Sequence, residues 1–185
     1  MLAYVFWHWP QNGTDHAAYE RRLAHFQAAL AASRPPGLHD AAVFRLAAAP
    51  WIQAPGYEEW YLLEGSAALD PLNEAAVSPA CRAAHDGAAV LAGGGAAGLY
   101  RLRAGCLLPH GARFSYWLSK PSGASYAQFY ASLEPLTGQG GTALWGRQMV
   151  LGPTPEFCLH SQAEAEIPPG LLVMKNTLEP VWMAS

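Results

Sequence analysis

The sequence predicts an α+β protein whose antiparallel sheets lie face to face and carry helices on their outer sides. Three observations predict it. Elements follow in the order β-α-β-β-α-β and then start again, a constant offset lays one half of the chain on the other, and the strands "YVFWHW" and "FSYWLS" do not alternate cleanly between apolar and polar residues. A strand covered on one face alternates, whereas one covered on both faces has no need to.

The first strand spans 2–9 and is stopped by Pro10, Asn12 and Gly13. Tyr19, Leu23, Phe26 and Leu30 recur at steps of four, three and four, which sets them on one face of a helix that starts near Thr14 or Asp15 and ends at "RPPG", 34–37. Residues 41–48 and 57–64 read as two strands joined by "APWIQAPG". Asp70-Pro71 supplies an N-cap and an N1 proline, Ser78-Pro79 repeats the device, and "GGG" at 93–95 follows the second helical stretch before a fourth strand, "GLYRLRAG". In the second half, 113–119 forms an aromatic strand and Ser125 with Gln128 a capping box ahead of Phe129, Tyr130 and Leu133. "TALWGRQMVLGPTPEFCLHS" is a further strand pair and "GLLVMKNTL" the last strand. Where the first half has two helical stretches, the second has only "QAEAEIPP", so its second helix is lost or reduced to a loop.

Composition bounds the partners. Of 185 residues 51% are hydrophobic and 14% charged, against roughly a quarter charged in an average globular chain, so much apolar surface is buried. A net charge of -3 with scattered basic residues leaves no footprint for phosphate backbones, so nucleic acid is not an expected partner. No run approaches the ~18 apolar residues of a membrane span, and no signal peptide is evident. Cys81, Cys106 and Cys158 lie far apart and read as small hydrophobes in a reducing compartment, the cytoplasm.

A shift of 110 puts Trp7 on Trp117, Asp15 on Ser125, Tyr19 on Phe129 and Leu23 on Leu133. Further along, Arg45 falls on Arg147, and "EEWYLLE" over "PEFCLHS" sets Glu59 on Glu156 and Trp60 on Phe157. The repeat divides the chain at 1–106 and 107–185. On these grounds nearly the whole chain resembles the dimeric α+β barrel superfamily, in which ferredoxin-like β-α-β-β-α-β units pack their sheets face to face. A tandem duplication would let one polypeptide build the barrel that single-unit members make as homodimers, so a monomer and a homodimer are both expected states.

Strand parity assigns faces. The more uniformly apolar set is expected to meet the helices: Phe114, Tyr116, Leu118, Phe44, Leu46, Leu144, Val150, Trp60, Leu62, Phe157 and Leu159. The sheet-to-sheet face then receives Trp7, Trp9, Val43, Arg45, Glu59 and Tyr61, with Trp117, Trp145, Arg147, Glu156, Cys158 and His160 as counterparts. Arg45 with Glu59 and Arg147 with Glu156 sit on neighbouring hairpin strands, where they either form register-fixing ion pairs or line an aromatic cavity in which arginine neutralises an anionic ligand and a carboxylate moves a proton. His8 shares a face with Tyr4 and Phe6 and looks toward the helices, as a core histidine or a general base at a cavity mouth; His160 points into the barrel.

No metal cluster is expected: His16 and His25 are nine residues apart, His85-Asp86 is isolated, and His39 and His110 lie in loops. "GGGAAG" follows a helix and precedes a strand, the reverse of a dinucleotide fingerprint, and G-x-S-x-G is absent. The superfamily includes cofactor-independent monooxygenases, muconolactone isomerases and haem enzymes. The resemblance therefore implies a small-molecule-binding protein or cofactor-independent enzyme, of monooxygenase or isomerase type, acting on an apolar or aromatic ligand between sheet and helices. His8, His160, Glu59 and Glu156 are its candidate acid–base groups, and Trp7, Trp9, Arg45, Tyr61, Trp117, Trp145 and Arg147 its candidate ligand contacts. The alternative is a non-catalytic assembly module with a filled barrel. Haem ranks third, because "AAHDG" lacks the first glycine of the peroxidase G-x-x-D-G pattern, although His85 could serve as an axial ligand.

Overall fold

Strand β1 (Leu2–Pro10) runs through the middle of one half of the protein, and a computed structural model describes residues 1–53, 55–138, 140–149 and 152–184 around it. Helix α1 (His16–Ser33) follows, with the Asp15 carboxylate accepting from the backbone N–H groups of Ala17 and Ala18, an N-cap that meets orphan donors of the first turn. Then come β2 (Leu38–Leu46), β3 (Gly56–Leu63), the short helices α2 (Leu69–Ala76) and α3 (Arg82–Ala89), and the long β4 (Ala92–Gly105). The second half has β5 (Phe114–Leu118), α4 (Tyr126–Thr137), β6 (Thr142–Arg147), β7 (Phe157–Ser161), β8 (Val173–Thr177) and β9 (Glu179–Met183). The Ser125–Gln128 capping box is present in full.

The nine strands among the described residues form one antiparallel sheet in the order β8-β5-β7-β6-β4-β1-β3-β2-β9. Within it the first half reads β4-β1-β3-β2 and the second β8-β5-β7-β6, the same relative order. Two extended stretches join the halves. β4 pairs with β1 along its N-terminal part and with β6 along its C-terminal part, while β8 pairs with β5 and β9, only Leu178 further on, pairs with β2. The sheet thereby curls nearly shut, with few unpaired edges. Strand β9 has no counterpart in the sequence reading, which ended the last strand at Leu178.

Several local expectations are corrected. Asp70 is in the first turn of α2 rather than its cap, because Ser66–Ala68 already form a 3-10 turn that leads into the helix. Ser78-Pro79 makes a turn whose Ser78 carbonyl accepts from the N–H groups of Cys81 and Arg82, so α3 begins three residues later. The "GGG" run lies inside β4. A Cβ at Gly94 would stand 2.6 Å from the Trp9 ring and one at Gly95 2.7 Å from the Phe6 ring, so glycine here makes room for aromatic side chains of the neighbouring strand.

Two apolar layers result. The interior, between the opposed parts of the sheet, contains Trp7, Phe44, Leu46, Trp60, Trp117 and Trp145. Edge-to-face and tilted contacts link its rings, with centroids 5.6 Å apart for Trp7–Trp117 and 5.5 Å for Trp60–Trp145, each worth ~0.5–1.5 kcal/mol beyond area burial. On the helix side, Tyr61, Ala41, Phe26 and Leu30 form one cluster, Val43, Tyr57, Tyr19 and Leu23 another, and Tyr116, Leu118, Leu144, Phe157, Leu159 and Phe129 a third. Parity therefore holds for β1, β5, β6 and β7. It is inverted for β2 and β3: Phe44, Leu46, Trp60 and Leu62 face the interior, whereas Val43, Arg45, Glu59 and Tyr61 face the helices. Val150 lies outside the described residues. The inversion is a one-residue slip, which flips every side chain of a strand. Trp7 stands opposite Glu58 and Trp117 opposite Cys158, so Glu58 corresponds to Cys158 and Trp60 to His160, not Glu59 to Glu156.

The linker between halves is tied down by Asp40. Its buried carboxylate accepts from the His110 backbone N–H at 3.2 Å and lies 2.9 Å from His110 Nδ1. Asp40→Ala is expected to lower the urea-unfolding free energy by about 1.5–3 kcal/mol, since bonds to charged groups are among the stronger ones and the orphaned donors stay partly buried.

Candidate functional site

A cavity of about 570 Å³ separates β1 and β3 from α1, α2 and α3 on the helix side of the first half. Its walls are apolar, with Leu23, Phe26 and Leu30 from α1, Leu69 and Leu72 from α2, and Ala88 from α3. The amphipathic stripe of α1 therefore covers the sheet only in part, and the two short helices roof the remainder.

The inner end is polar. Glu59, on β3, stands opposite Phe6 of β1, so His8 is its diagonal neighbour on the same face. His8 is 1% and Glu59 4% exposed, and His8 Nε2 lies 3.3 Å from Glu59 Oε1. That contact is at ion-pair distance but off the line of a ring hydrogen bond, which leaves Nε2 without a hydrogen-bond partner. Nδ1 of the same ring is 2.8 Å from the Tyr19 hydroxyl. The other carboxylate oxygen of Glu59 accepts a short hydrogen bond from the Tyr61 hydroxyl and a 3.2 Å bond from Gln27 Nε2. Burial, reinforced by the Glu59 charge, pushes the phenols of Tyr19 and Tyr61 well up, so both remain O–H donors at neutral pH. His8 is further clamped between stacked rings, 5.5 Å from Tyr57 and 5.1 Å from Phe6.

This arrangement holds an imidazole and a carboxylate side by side, oriented by three further side chains, at the end of an apolar chamber. It can accept a proton from a bound molecule or return one, and the Tyr19 hydroxyl, when it accepts from His8 Nδ1–H, keeps its own hydrogen for an oxygen that gains charge. Asp70 and Asn73 from α2 and His85 from α3 also line the cavity.

The candidate residues from the sequence do not gather at one place. His8, Glu59 and Tyr61 meet at the cavity. Trp7, Trp117, Trp145 and His160 are in the interior, with Trp9 partly buried against it, where they touch one another rather than the cavity. Arg45 faces outward on the helix side, pairing with Glu20 at 3.2 Å and Glu179 at 2.9 Å instead of Glu59. Arg147 donates to the carbonyls of Gly152 and Thr154, and Glu156 accepts from the Tyr126 hydroxyl of α4, so these two side chains bond elsewhere rather than to each other. The interior carboxylate is Glu58, which accepts from the indole N–H groups of Trp7 at 2.7 Å and Trp60 at 2.6 Å.

Tyr19 and Gln27 escaped notice as site residues. Gln27 carried a signal: an amide one position from Phe26, on the stripe formed by Tyr19, Leu23 and Leu30, has to be buried and therefore needs polar company. The consecutive Glu58 and Glu59 carried another, since neighbours on a strand point to opposite faces and each face must then accommodate a carboxylate.

No helix among the described residues is long and apolar enough to cross a membrane, and no group of three or more His, Cys, Asp and Glu among them is arranged to hold a metal ion. No protein-family model matches the chain, and no curated protein matches it by sequence. Solved structures do. A monooxygenase-like protein from Lactobacillus acidophilus superposes over 100% of this chain and 96% of its own, with a TM-score of 0.62 at 11% identity. A second monooxygenase-like protein, from Fusobacterium nucleatum, matches over 98% and 93% with a TM-score of 0.61 at 8% identity. A chlorite dismutase-like protein matches over 97% and 95% with a TM-score of 0.53 at 11% identity. At these identities the likeness is one of fold, and this chain shares with them a mixed α+β fold with a nearly closed antiparallel sheet.

Proposed function

We propose that the chain is a cofactor-independent enzyme, of isomerase or monooxygenase type, that binds an apolar or aromatic molecule between the first half's sheet and helices and removes a proton from it. One observation carries the reading. The positions that hold His8, Glu59 and Tyr19 in the first half correspond to Leu118, Leu159 and Phe129 in the second, and there they form ordinary core. The fold thus has no need of the polar cluster, and buried polar side chains are not a cheap substitute for leucine. Structural neighbours with monooxygenase-like and anthrone oxidase-like descriptions are in keeping with it. The same strand order in both halves supports their descent from one ferredoxin-like unit, and near-closure of the sheet within one chain supports a monomer.

The His8 imidazole and the Glu59 carboxylate, side by side, can together take up a proton. A C–H or O–H bond of the ligand breaks, its proton moves to His8 Nε2 or Glu59 Oε1, and the electron pair stays on the ligand, where the Tyr19 hydroxyl meets the developing charge. Haem, which the resemblance implies as a further possibility, is disfavoured by the donor set: the cavity lining includes Glu59 and Asp70 but no Lys or Arg to meet two propionates, and His85 directs Nδ1 to Asp86 at 3.0 Å. The non-catalytic reading has one observation in its favour, the interior filled by Trp7, Trp60, Trp117 and Trp145. That filling does not extend to the helix side.

Two probes test the proposal: uncharged N-phenyl-1-naphthylamine for binding, and solvent-deuterium incorporation into 2-tetralone for proton abstraction. The protein is expected to bind the first saturably and to accelerate exchange into the second, with Glu59→Gln slowing exchange by 10²-fold or more while the first probe still binds. Binding without accelerated exchange would leave a binding protein only, and absence of both would remove the site.

A further inference from the structure

The interior of the second half carries a polar rung that the first half lacks. Ser115 of β5 is paired with His160 of β7 on one side and with Asn176 of β8 on the other, so one row across three strands reads Asn176–Ser115–His160. All three residues share the inward parity of Trp117, Cys158 and Leu178. The corresponding row in the first half is Gly98–Val5–Trp60, which is apolar apart from one indole N–H that is bonded to Glu58. The fold therefore does not require polarity at this row.

Nor are the polar atoms satisfied by the protein. Ser115 and His160 are 0% exposed, and Ser115 Oγ, both ring nitrogens of His160 and Asn176 Nδ2 are buried without a hydrogen-bond partner. The His160 ring is tilted against Trp60 at 4.2 Å between centroids, with Trp145 at 6.4 Å on another side, and these indoles keep it from turning out to solvent. Its burial keeps the imidazole neutral, with a pKa pushed down to about 3.

The chemistry of the donors defines the guest. Asn176 Nδ2 brings two N–H groups, Ser115 one O–H, and a neutral imidazole one N–H and one bare nitrogen. Whatever binds must accept from the amide and donate to, or accept from, the ring. A cation would face a surplus of donors. An anion could not donate to the bare nitrogen and would share the interior with the Glu58 carboxyl. The geometry points to an internal site for a small neutral hydroxylic guest, a bound water, that bridges Asn176, Ser115 and His160 across the inner wall of the second half.

Oxygen-17 water relaxation dispersion on the intact protein counts long-lived internal waters, and long-range ¹H–¹⁵N correlation reads the His160 ring. The wild type is expected to lose the amplitude of one long-lived water in Ser115→Val and again in Asn176→Leu, with nothing further lost in the double variant. The His160 ring is expected to show one exchange-protected N–H and nitrogen shifts of a hydrogen-bonded neutral tautomer. Unchanged amplitude in both variants would overturn the proposal. So would a ring proton bonded directly to Ser115 Oγ, a result read on the wild type and independent of how the variants fold.

Discussion

Replacing His8 by Leu, Tyr19 by Phe and Glu59 by Leu together is expected to leave a folded protein that still binds N-phenyl-1-naphthylamine but no longer accelerates exchange into 2-tetralone, a loss of at least 10²-fold. The replacements copy what the second half already places in its own core at Leu118, Phe129 and Leu159. Removing the partners as a unit avoids stranding one of them, so stability should be unchanged or raised, whereas Glu59→Leu alone, which leaves His8 and Tyr61 without the carboxylate, should lower it. Tyr61 need not be orphaned in the triple variant, because Gln27 Oε1 has no partner and an amide flip turns it toward the phenol. Thermal unfolding and the exchange assay on the same sample separate the two effects. A triple variant that keeps exchange at the wild-type rate would show that the polar cluster is a core ornament.

The second large effect lies in the interior and concerns pH. Burial raises Glu58 from its ordinary 4.5 to about 7, against the opposing pull of two indole donors, and lowers His160 from 6.5 to about 3. The signs are opposite. A carboxyl whose folded value is raised contributes stability that is present below about 4.5 and is lost as pH rises through about 7. An imidazole whose folded value is lowered contributes stability that is present above 6.5 and is lost as pH falls toward 3. Between about 4.5 and 6.5 the two slopes cancel, so these groups leave the wild-type unfolding free energy nearly flat there and falling below 4.5. Glu58→Gln should uncover the histidine slope, with stability decreasing from pH 6.5 downward. His160→Phe should uncover the carboxyl slope, with stability decreasing from pH 4.5 to 7. Each slope integrates to on the order of 3–5 kcal/mol. Urea denaturation at half-unit pH steps reads both, and parallel profiles for the wild type and both variants would contradict the assignment.

Much of the architecture was legible because its physical causes are local. The stripe Tyr19–Leu23–Phe26–Leu30, the Asp15 cap, the Ser125–Gln128 box and the inward parity of Trp7 and Trp117 each depend on a few neighbouring residues, and each has the form its spacing implies. Strand β9 was not legible, since "EPVWM" opens with a glutamate and a proline and becomes a strand only because β2 offers it an edge. The faces of β2 and β3 were lost for a different reason. An interior built of Phe44, Trp60 and Leu62 is as apolar as a helix-facing layer, so hydrophobicity could not tell one face from the other, and an overlay displaced by one residue chose wrongly. Of the site, His8 was seen toward the helices and Glu59 and Tyr61 were named, but Glu59 and Tyr61 were placed behind the sheet. What assembles them is the register Phe6 opposite Glu59, a long-range fact that no short window of sequence contains.

The most direct measurement is a crystal structure of the protein with 2-tetralone bound. The expected result is density in the 570 Å³ cavity between β1, β3 and the three helices of the first half, with the ligand's acidic carbon or its oxygen within reach of His8, Glu59 or Tyr19. Density among Trp7, Trp60 and Trp117, or against the second half's helix, would contradict the claim that the polar cluster of the first half is where this protein works.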